Sequence, residues 1–393
     1  MPLKECSIVS QREEFCRLAL SPGANVRALC RRFNISPMTG YRYMAAYRTH
    51  GVTGLSDQSR RPLTSPGRTA TAMEAEVLAV REEHPCWGGR KIRRVLLNQG
   101  LTGVPAASTI TEIARRHGAL NGPGAGELRD WVRFEHPEPN DLWQMDFKGW
   151  FHLGRGRCHP LTVLDDHSRY ALEIGACGEE TGETVRARLT EVFCRYGRPW
   201  RILCDNGPPW GTAGHGQHSQ LSVWLMDLDI GVPHGKPYHP QTQGKDERFH
   251  RTLKAAVLDG SAFKTLADAQ AAFDAWRPVY NTIRPHEGID LKTPATRYRM
   301  SPRSMPDTIE PPDYEPQAHV QKVDRNGCVR FNGQTFRTSK AFAGKPLAIR
   351  ATEQDGLFDL CYRRHRLAQI DLRQDDVKSV HHVPEHVSTL SPV

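Results

Sequence analysis

The clearest pattern of hydrophobic and polar positions lies between residues 140 and 300, where strand-like and helix-like stretches alternate. In DLWQMDFKGWFHL the two kinds of side chain alternate, with Trp143, Met145 and Phe147 on one face and Gln144, Asp146 and Lys148 on the other. That period of two is typical of a half-buried strand. Residues 183–196 instead repeat apolar side chains at helical spacing. Strands followed by helices predict an α/β domain over residues 140–298.

The first segment, residues 1–58, has the pattern of short helices. One helix is predicted from Arg27 to Phe33, and a second begins at Pro37 with Ser36 as its N-cap. The second helix carries Arg42 among tyrosines and predicts a DNA-reading helix of a helix-turn-helix domain. An ordinary helical hairpin remains the alternative, and Gly40 inside the second helix is a mild departure because glycine weakens helices.

A second helical unit is predicted over residues 69–118. Its three helices would span 75–83, 90–99 and 108–117, with Ser108 as the N-cap of the third, and they resemble another helix-turn-helix. A polar, basic linker precedes this unit. Within that linker Arg60 and Arg61 could enter a DNA minor groove, or they could belong to a flexible solvated connection.

The C-terminal segment changes pattern again. After a Pro-rich linker over residues 299–316, the chain is rich in strand-like stretches, and Asn332-Gly333 is a strong two-residue hairpin signal. We predict a small antiparallel β-barrel of about five strands over residues 318–375.

Charge is distributed unevenly along the chain. Residues 1–118 hold 18 Lys and Arg against 9 Asp and Glu, so the whole net charge of +9 lies there. The remaining residues hold 35 of each sign. A localised basic surface indicates a polyanionic partner, although solvated basic faces also occur.

Composition excludes several classes of protein. No stretch approaches the roughly 18 to 20 apolar residues of a membrane helix, and the first residues lack the apolar run of a signal peptide. The 10 cysteines are scattered without a CxxC spacing, which argues against a disulfide framework or a structural zinc site. A cytoplasmic, nucleoid-associated location is expected.

Three acidic residues stand out by their context. Asp146 lies on a strand flanked by aromatic residues, Asp205 ends a buried strand, and Glu247 falls in the first turn of a helix. Carboxylates are suitable ligands for Mg²⁺, which supports phosphodiester chemistry. Taken singly, each has an ordinary alternative: an edge-strand charge, a turn before Asn-Gly, and a residue facing the helix dipole.

The motifs taken together resemble the integrase core of bacterial insertion-sequence transposases, which are relatives of retroviral integrases. The matching strings are LWQMDFKG around Asp146, LDDHSRY at 164–170, CDNGPPW around Asp205, YHPQTQGKDERFHRTLK at 238–254 and YNTIRPHEGIDLKTP at 280–294. They follow one another in the family's order. The resemblance implies a DDE transposase with a ribonuclease-H-like core, which the order of strands and helices also fits.

By that resemblance, Asp146 and Asp205 would bind one Mg²⁺ or Mn²⁺ ion, and Asp146 and Glu247 a second. Asn206 would help to position substrate. On the last helix His250, Arg251 and Lys254 share a face with Glu247 and would contact DNA. The implied activity is cleavage of a DNA strand at the end of an insertion sequence, followed by attack of the freed 3′-hydroxyl on target DNA. Joining two ends of double-stranded DNA implies a homo-oligomer, a dimer or larger.

Two features leave room for other interpretations. The 41 residues between Asp205 and Glu247 exceed the family's usual spacing, and the extra length has the composition of a loop. Asp165 and Asp166 are consecutive, so a turn or strand-end role is favoured over a metal pair. The rival functions are a DNA-binding regulator with an inactive core and a nuclease without joining activity.

Overall fold

The computed structural model describes residues 7–57, 67–120, 135–205, 207–212, 217–233, 244–373 and 381–382. The chain divides into two units, Met1–Arg68 and Thr69–Val393. None of the helices in these described ranges combines the length and apolar character that a bilayer crossing requires.

The first unit is a set of three α-helices, α1 (Ile8–Ala19), α2 (Val26–Arg32) and α3 (Pro37–His50), followed by a 3₁₀ turn, Gly51–Leu55. Ser36 caps α3 as predicted, because its side chain accepts a hydrogen bond from the backbone N–H of Thr39. Gly40 is needed where α3 crosses its neighbours. A Cβ atom there would lie 2.6 Å from Cys30 Sγ and 2.9 Å from Phe15 Cζ, so close packing explains the glycine inside this helix.

The second unit begins with another three-helix module, α4 (Thr71–Glu83), α5 (Gly89–Asn98) and α6 (Ala107–Arg116). The prediction of Ser108 as the N-cap of the third helix is wrong. The helix starts at Ala107, its N-cap is Ala106, and no side chain caps it. The module packs on the rest of the unit through the Lys91–Glu287 ion pair at 3.6 Å and a hydrogen bond from Cys86 Sγ to Ala255 O at 2.8 Å.

The α/β region has a mixed sheet with helices on both faces. Its strands are β1 (Leu142–Phe147), β2 (Phe151–His152), β3 (Arg157–Asp165), β4 (Ala171–Cys177) and β5 (Arg201–Leu203), with a separate ribbon of β6 (Gly211–Thr212) and β7 (Gln217–His218). Its helices are α7 (Gly182–Tyr196), α8 (Gln220–Asp227), α9 (Gly244–Leu253) and α10 (Leu266–Pro278). The predicted loop between Asp205 and Glu247 thus contains the small β6–β7 ribbon.

Strand β1 lies between β3 and β5, and its two neighbours differ in direction. It pairs antiparallel with β3 and parallel with β5, while β4 pairs with the other side of β3. One face of the sheet packs Trp143 and Met145 against α7 and α8. The other face packs Leu164 and Ala171 against α9 and α10. Burial on both faces holds β1 and its polar residues in a rigid frame.

The C-terminal region forms an open sheet, which corrects the prediction of a β-barrel. The strands are β8 (His319–Lys322), β9 (Cys328–Phe331), β10 (Gln334–Arg337), β11 (Pro346–Ala351), β12 (Leu357–Tyr362), β13 (His365–Asp371) and β14 (His381–His382). The sheet order is β14-β13-β12-β11-β8, and β9 pairs only with β10 within the described residues.

The Asn332-Gly333 turn does join β9 and β10, and both residues have the positive φ that such a turn requires. However, the ribbon packs Phe331 and Phe336 onto the sheet rather than extending it. Val223 and Met226 of helix α8 join the same hydrophobic cluster. Because the apolar face is already covered by the ribbon and by α8, burial does not require the sheet to close on itself.

Candidate active site

Asp146 lies near the carboxyl end of the central strand β1. The residues around it, Trp143 and Met145, are fully buried in the core and fix the strand, whereas Asp146 is partly exposed. Its backbone carbonyl accepts a hydrogen bond from the Thr162 hydroxyl on β3 at 3.1 Å. Because side chains alternate between the two faces of a strand, the Asp146 carboxylate points away from the face that carries Trp143 and Met145.

The register of the sheet brings Asp205 next to Asp146. Strand β5 pairs in parallel with β1, with Gln144 opposite Leu203. Asp146 and Asp205 each follow these partners by two residues, so both leave the sheet at the same edge. Neighbouring strands are about 4.8 Å apart, which makes the two carboxylates close neighbours. Asp205 is exposed, as a residue that has just left a strand usually is.

Glu247 reaches the same region from helix α9. It is exposed in the first turn of that helix, whose Phe249 and Leu253 are buried against the sheet and α10. The proximity of the three carboxylates is visible in their electrostatics. Burial raises the pKa of Asp146 to about 7, although the backbone N–H of Phe147 opposes the rise. The negative charges of Asp205, Glu180 and Glu247 also contribute to this raised pKa.

Oxygen ligands crowded together in this way suit a hard divalent cation, whose charge would offset the repulsion among them. Within the described ranges, however, no three His, Cys, Asp or Glu side chains lie close enough together to hold an ion. Asp205 and Glu247 are exposed, and exposed side chains change rotamer on a picosecond to nanosecond timescale. The metal-ligand assignment of Asp146, Asp205 and Glu247 therefore stays a prediction.

The raised pKa of Asp146 predicts a specific dependence of stability on pH. The folded protein holds the proton up to about pH 7, whereas the unfolded chain releases it near 3.8. Without metal, this group therefore lowers the free energy of unfolding as pH rises from about 4 to 7, and the full penalty remains above pH 7. We expect Asp146→Asn to stabilise the metal-free protein at pH 8 by about 1–3 kcal/mol, after allowance for solvent screening.

Denaturant unfolding of both proteins at pH 5 and pH 8, in the presence of a chelator, measures this effect. The difference between Asp146→Asn and the wild type should be smaller at pH 5. An equal difference at both pH values would contradict the assignment, because an amide that simply packs better would stabilise the fold at every pH.

The consecutive residues Asp165 and Asp166 are buried hydrogen-bond acceptors at the end of β3. Asp165 accepts from the backbone N–H groups of Asn140, at 2.7 Å, and Ser168, at 2.8 Å. Asp166 accepts from the His136 backbone N–H at 2.9 Å and from Gln144 Nε2 at 2.6 Å, and it forms an ion pair with Lys245. These contacts agree with the strand-end interpretation.

Sequence reasoning missed Lys245 and Asp246, which immediately precede Glu247. Lys245 ties the first turn of α9 to Asp166 at the end of β3. Asp246 is buried, and neither of its carboxylate oxygens has a hydrogen-bond partner among the described residues. Burial raises the pKa of Asp246 well above its usual value, and the charges of Asp146 and Asp166 add to the rise. In the sequence, the only sign that Lys245 and Asp246 matter was the string GKDE, in which these two charged residues directly precede the candidate ligand Glu247.

The three other residues predicted on α9 separate into two groups. Arg251 and Lys254 are exposed. His250 instead points inward, and its Nε2 lies 2.7 Å from Thr162 Oγ1, the hydroxyl that donates to Asp146 O. Burial, and then the charge of Lys148, lower the pKa of His250 to about 4, so the ring is neutral and its Nε2–H donates to Thr162. The chain His250–Thr162–Asp146 thus connects α9 to β1.

The remaining predicted DNA contacts belong to other segments of the chain. Arg42 is exposed on α3, with its guanidinium 5.7 Å from the ring centroid of Tyr43. Arg60, Arg61 and Asn206 lie outside the described residues, as do His239 and Pro240.

Sequence comparison relates most of the chain to known families. Residues 136–240 and 228–294 match integrase core domain families, and residues 318–378 match the C-terminal domain of the IS481 family of transposases. At the other end, residues 11–62 match a helix-turn-helix domain, and residues 39–114 match a homeodomain-like domain. These matches confirm the helix-turn-helix prediction at the N-terminus.

Two curated relatives are uncharacterized insertion-element proteins. One, from IS476 of Xanthomonas euvesicatoria, is 24% identical over 62% of this chain and 69% of its own length. The other, from IS407 of Burkholderia multivorans, is 28% identical over 40% of this chain and 54% of its own length. This chain therefore spans about half of the second relative.

Two solved structures align with part of this chain. A chain of the simian T-cell lymphotropic virus intasome is 18% identical, with a TM-score of 0.37 over 78% of this chain and 98% of that chain. The HTLV-2 integrase catalytic core domain in complex with magnesium is 16% identical, with a TM-score of 0.32 over 42% of this chain and 99% of that chain.

Proposed function

We propose, from the premise that this chain belongs to the integrase-core transposases of bacterial insertion elements, that it cleaves DNA at the ends of such an element and joins them to target DNA. One observation supports the site most directly. Asp146 and Asp205 leave adjacent parallel strands at equivalent positions, and the charge of Glu247 on α9 acts on Asp146.

The carboxylates of Asp146, Asp205 and Glu247 fit the proposed cofactor, two Mg²⁺ or Mn²⁺ ions, because all three offer the oxygen ligands that these ions prefer. Such ions, when bound, activate a water or hydroxyl nucleophile and neutralise charge on the leaving oxygen. The chain itself fixes the backbone that carries Asp146. Strand β1 is locked by its core side chains, and the His250–Thr162 contact braces it from α9. We therefore assign His250 to positioning of Asp146, rather than to DNA.

Recognition of the DNA is assigned to the basic part of the chain and to the exposed face of α9. Residues 1–118, which contain the N-terminal helical units over 1–58 and 69–118 and the linker between them, hold the net positive charge, and Arg42 on α3 would contact bases. Arg60, Arg61 and Asn206 are retained as proposed contacts. Arg251 on α9 and Lys254, which directly follows that helix, would contact the DNA backbone beside the reacting phosphate.

Besides the two N-terminal helical units, we propose a catalytic domain over residues 140–298 and a C-terminal domain over residues 318–375. Because a transposition event joins two element ends, we propose that the protein acts on double-stranded DNA as a homo-oligomer, a dimer or larger.

Strand transfer with the full-length protein tests this function. The substrate is a labelled duplex containing one end of the element that encodes the protein, with a supercoiled plasmid as target and Mg²⁺ or Mn²⁺ present. We expect a nick at the element end, followed by joined products in the plasmid. Nicking without joining would favour a simple nuclease, and specific binding without nicking would favour a regulator with an inactive core; either result would contradict the proposal.

A further inference from the structure

A hairpin that follows the Asp146 strand carries an exposed aromatic and basic surface. It spans residues 148–157 and contains β2, the turn at 153–156 and the start of β3. Its sequence, KGWFHLGRGR, has Lys148, Arg155 and Arg157 and no acidic residue. A concentration of positive charge next to an exposed aromatic ring is typical of a surface that binds nucleic acid.

Trp150 is the central feature of this surface. Its side chain is 48% exposed, which is unusual for so large an apolar group. The Arg157 guanidinium lies 4.0 Å from the centroid of the indole, and the His152 ring packs edge-on at 4.9 Å. Arginine therefore covers one part of the indole, and about half of the side chain remains available for another planar group.

The basic side chains around Trp150 are not used by the fold. Within the part of the chain that the structure describes, Lys148, Arg155 and Arg157 make no side-chain hydrogen bond and no ion pair. The comparison with Trp200 is informative. That side chain is also exposed, at 46%, and Arg303 lies 4.1 Å from its ring, but Arg303 donates hydrogen bonds to Pro199 O and Asp229 O. Arg303 holds the fold together, whereas Arg157 is available to a ligand.

The hairpin is rigid and lies beside the candidate active site. Gly154 N donates to Phe263 O at 3.0 Å, and the rings of Phe151 and Phe263 pack at 5.6 Å, so the segment after α9 supports the hairpin. Trp150 follows Asp146 by four positions, which places their Cα atoms within about 14 Å. Since the DNA rise is about 3.4 Å per base pair, that distance is about four base pairs.

The basic surface of the hairpin also continues onto helix α9. The positive charge of Lys148 adds to burial in lowering the pKa of His250. Lys148 of the hairpin therefore lies near His250 on α9, and that helix and the turn after it also carry the exposed basic residues Arg251 and Lys254. One strand of DNA could contact both.

We infer that the hairpin of residues 148–157 is a DNA-binding site in which Trp150 stacks on an unpaired base next to the cleaved phosphate, while Arg157 and Arg155 contact the adjoining backbone. The inference rests on the proposed function, because it assigns a surface to the same DNA substrate. A base inside a duplex is already stacked on both sides, so an exposed indole on a rigid hairpin can stack on an unpaired base but not on a base within the helix. The positive charge also disfavours a second copy of the same surface as the partner.

Binding measurements in a chelator, with the full-length protein, separate this site from catalysis. The two probes are a blunt duplex of about 30 base pairs and the same duplex with about four unpaired nucleotides at one end. We expect Trp150→Leu to weaken binding of the second probe about tenfold and that of the blunt probe less than about twofold. Arg157→Gln should reduce the slope of log affinity against log salt by about one. Trp200→Leu is the matched control and should behave as wild type.

Thermal unfolding and sedimentation are measured for each variant, and neither should change, because Trp150 and Arg157 lie outside the hydrophobic core. Equal affinity of Trp150→Leu and wild type for both probes would overturn the inference and leave the proposed function intact. An equal loss with Trp200→Leu would also overturn it, as would a change in oligomeric state without a change in DNA affinity. A wild-type protein that bound neither probe would overturn the inference and the DNA-processing function together.

Discussion

Asp146→Asn, Asp205→Asn and Glu247→Gln should each reduce strand cleavage by about a thousandfold or more, because an amide is a weak ligand for Mg²⁺ and the proposed chemistry depends on that ion. The loss corresponds to about 4 kcal/mol in the activation barrier. Binding of element-end DNA should persist, since the net positive charge of the chain lies in residues 1–118. Initial rates of nicking and equilibrium binding of the same duplex measure the two properties separately.

Glu353→Gln provides the matched control for these three substitutions. Glu353 is an exposed carboxylate between β11 and β12, far along the chain from the candidate site, and its neutralisation should leave nicking unchanged. Cleavage close to the wild-type rate by any one of the three site variants would remove that residue from the proposed metal site. A parallel loss of DNA binding would mean instead that the residue supports the fold or the DNA surface.

The second large effect is expected at Asp166, whose side chain is fully buried. Asp166→Ala would leave the His136 N–H, Gln144 Nε2 and the Lys245 ammonium without their common acceptor. Removing one partner of a buried ion pair costs about 3–5 kcal/mol, because the other charge remains in a poorly solvated position. Since Lys245 immediately precedes Glu247, we also expect cleavage to fall by about a hundredfold at temperatures where the variant is still folded.

Chemical denaturation gives the free energy of unfolding, and nicking assays below the unfolding transition give the activity. Arg299→Ala is the matched control, since its ion pair with Glu138 at 2.8 Å is exposed at both ends and should contribute less than about 1 kcal/mol. A loss of stability at Asp166 no larger than that at Arg299 would contradict the role assigned to the buried network. Full cleavage activity in a destabilised Asp166→Ala protein would show that the link to α9 does not position Glu247.

Local sequence patterns predicted several of the elements that carry the candidate site. Alternation around Asp146 predicted β1 because side chains in a strand point to opposite faces, although Gln144 on the polar face is also fully buried in the structure. Ser36 and Pro37 predicted the start of α3 because a helix begins where an N-cap side chain can satisfy a free backbone N–H. The motif order also predicted the resemblance to integrase cores, and residues 136–240 and 228–294 match integrase core domain families.

Other features depended on contacts between segments that are distant in the chain. Ser108 does not cap α6, although its residue type suits the role, because the chain enters the helix two residues earlier. His250 shares a helix face with Glu247 by spacing alone, yet it turns inward to Thr162, since the packing of α9 on the sheet buries that part of the face. The ion pair of Lys245 with Asp166 joins residues 79 positions apart, which no local pattern can reveal.

The C-terminal region shows the same division most clearly. The sequence alone determined that this region consists of strands, and that Asn332-Gly333 makes a tight hairpin, because turn chemistry and alternation are local properties. Only the tertiary structure decided between a closed barrel and an open sheet. Val223 and Met226 come from a helix more than ninety residues before β8 and cover the apolar face that closure would otherwise have buried. The segment that covers a strand can come from any part of the chain. Burial is therefore a property of the assembled core and not of the strand's own sequence.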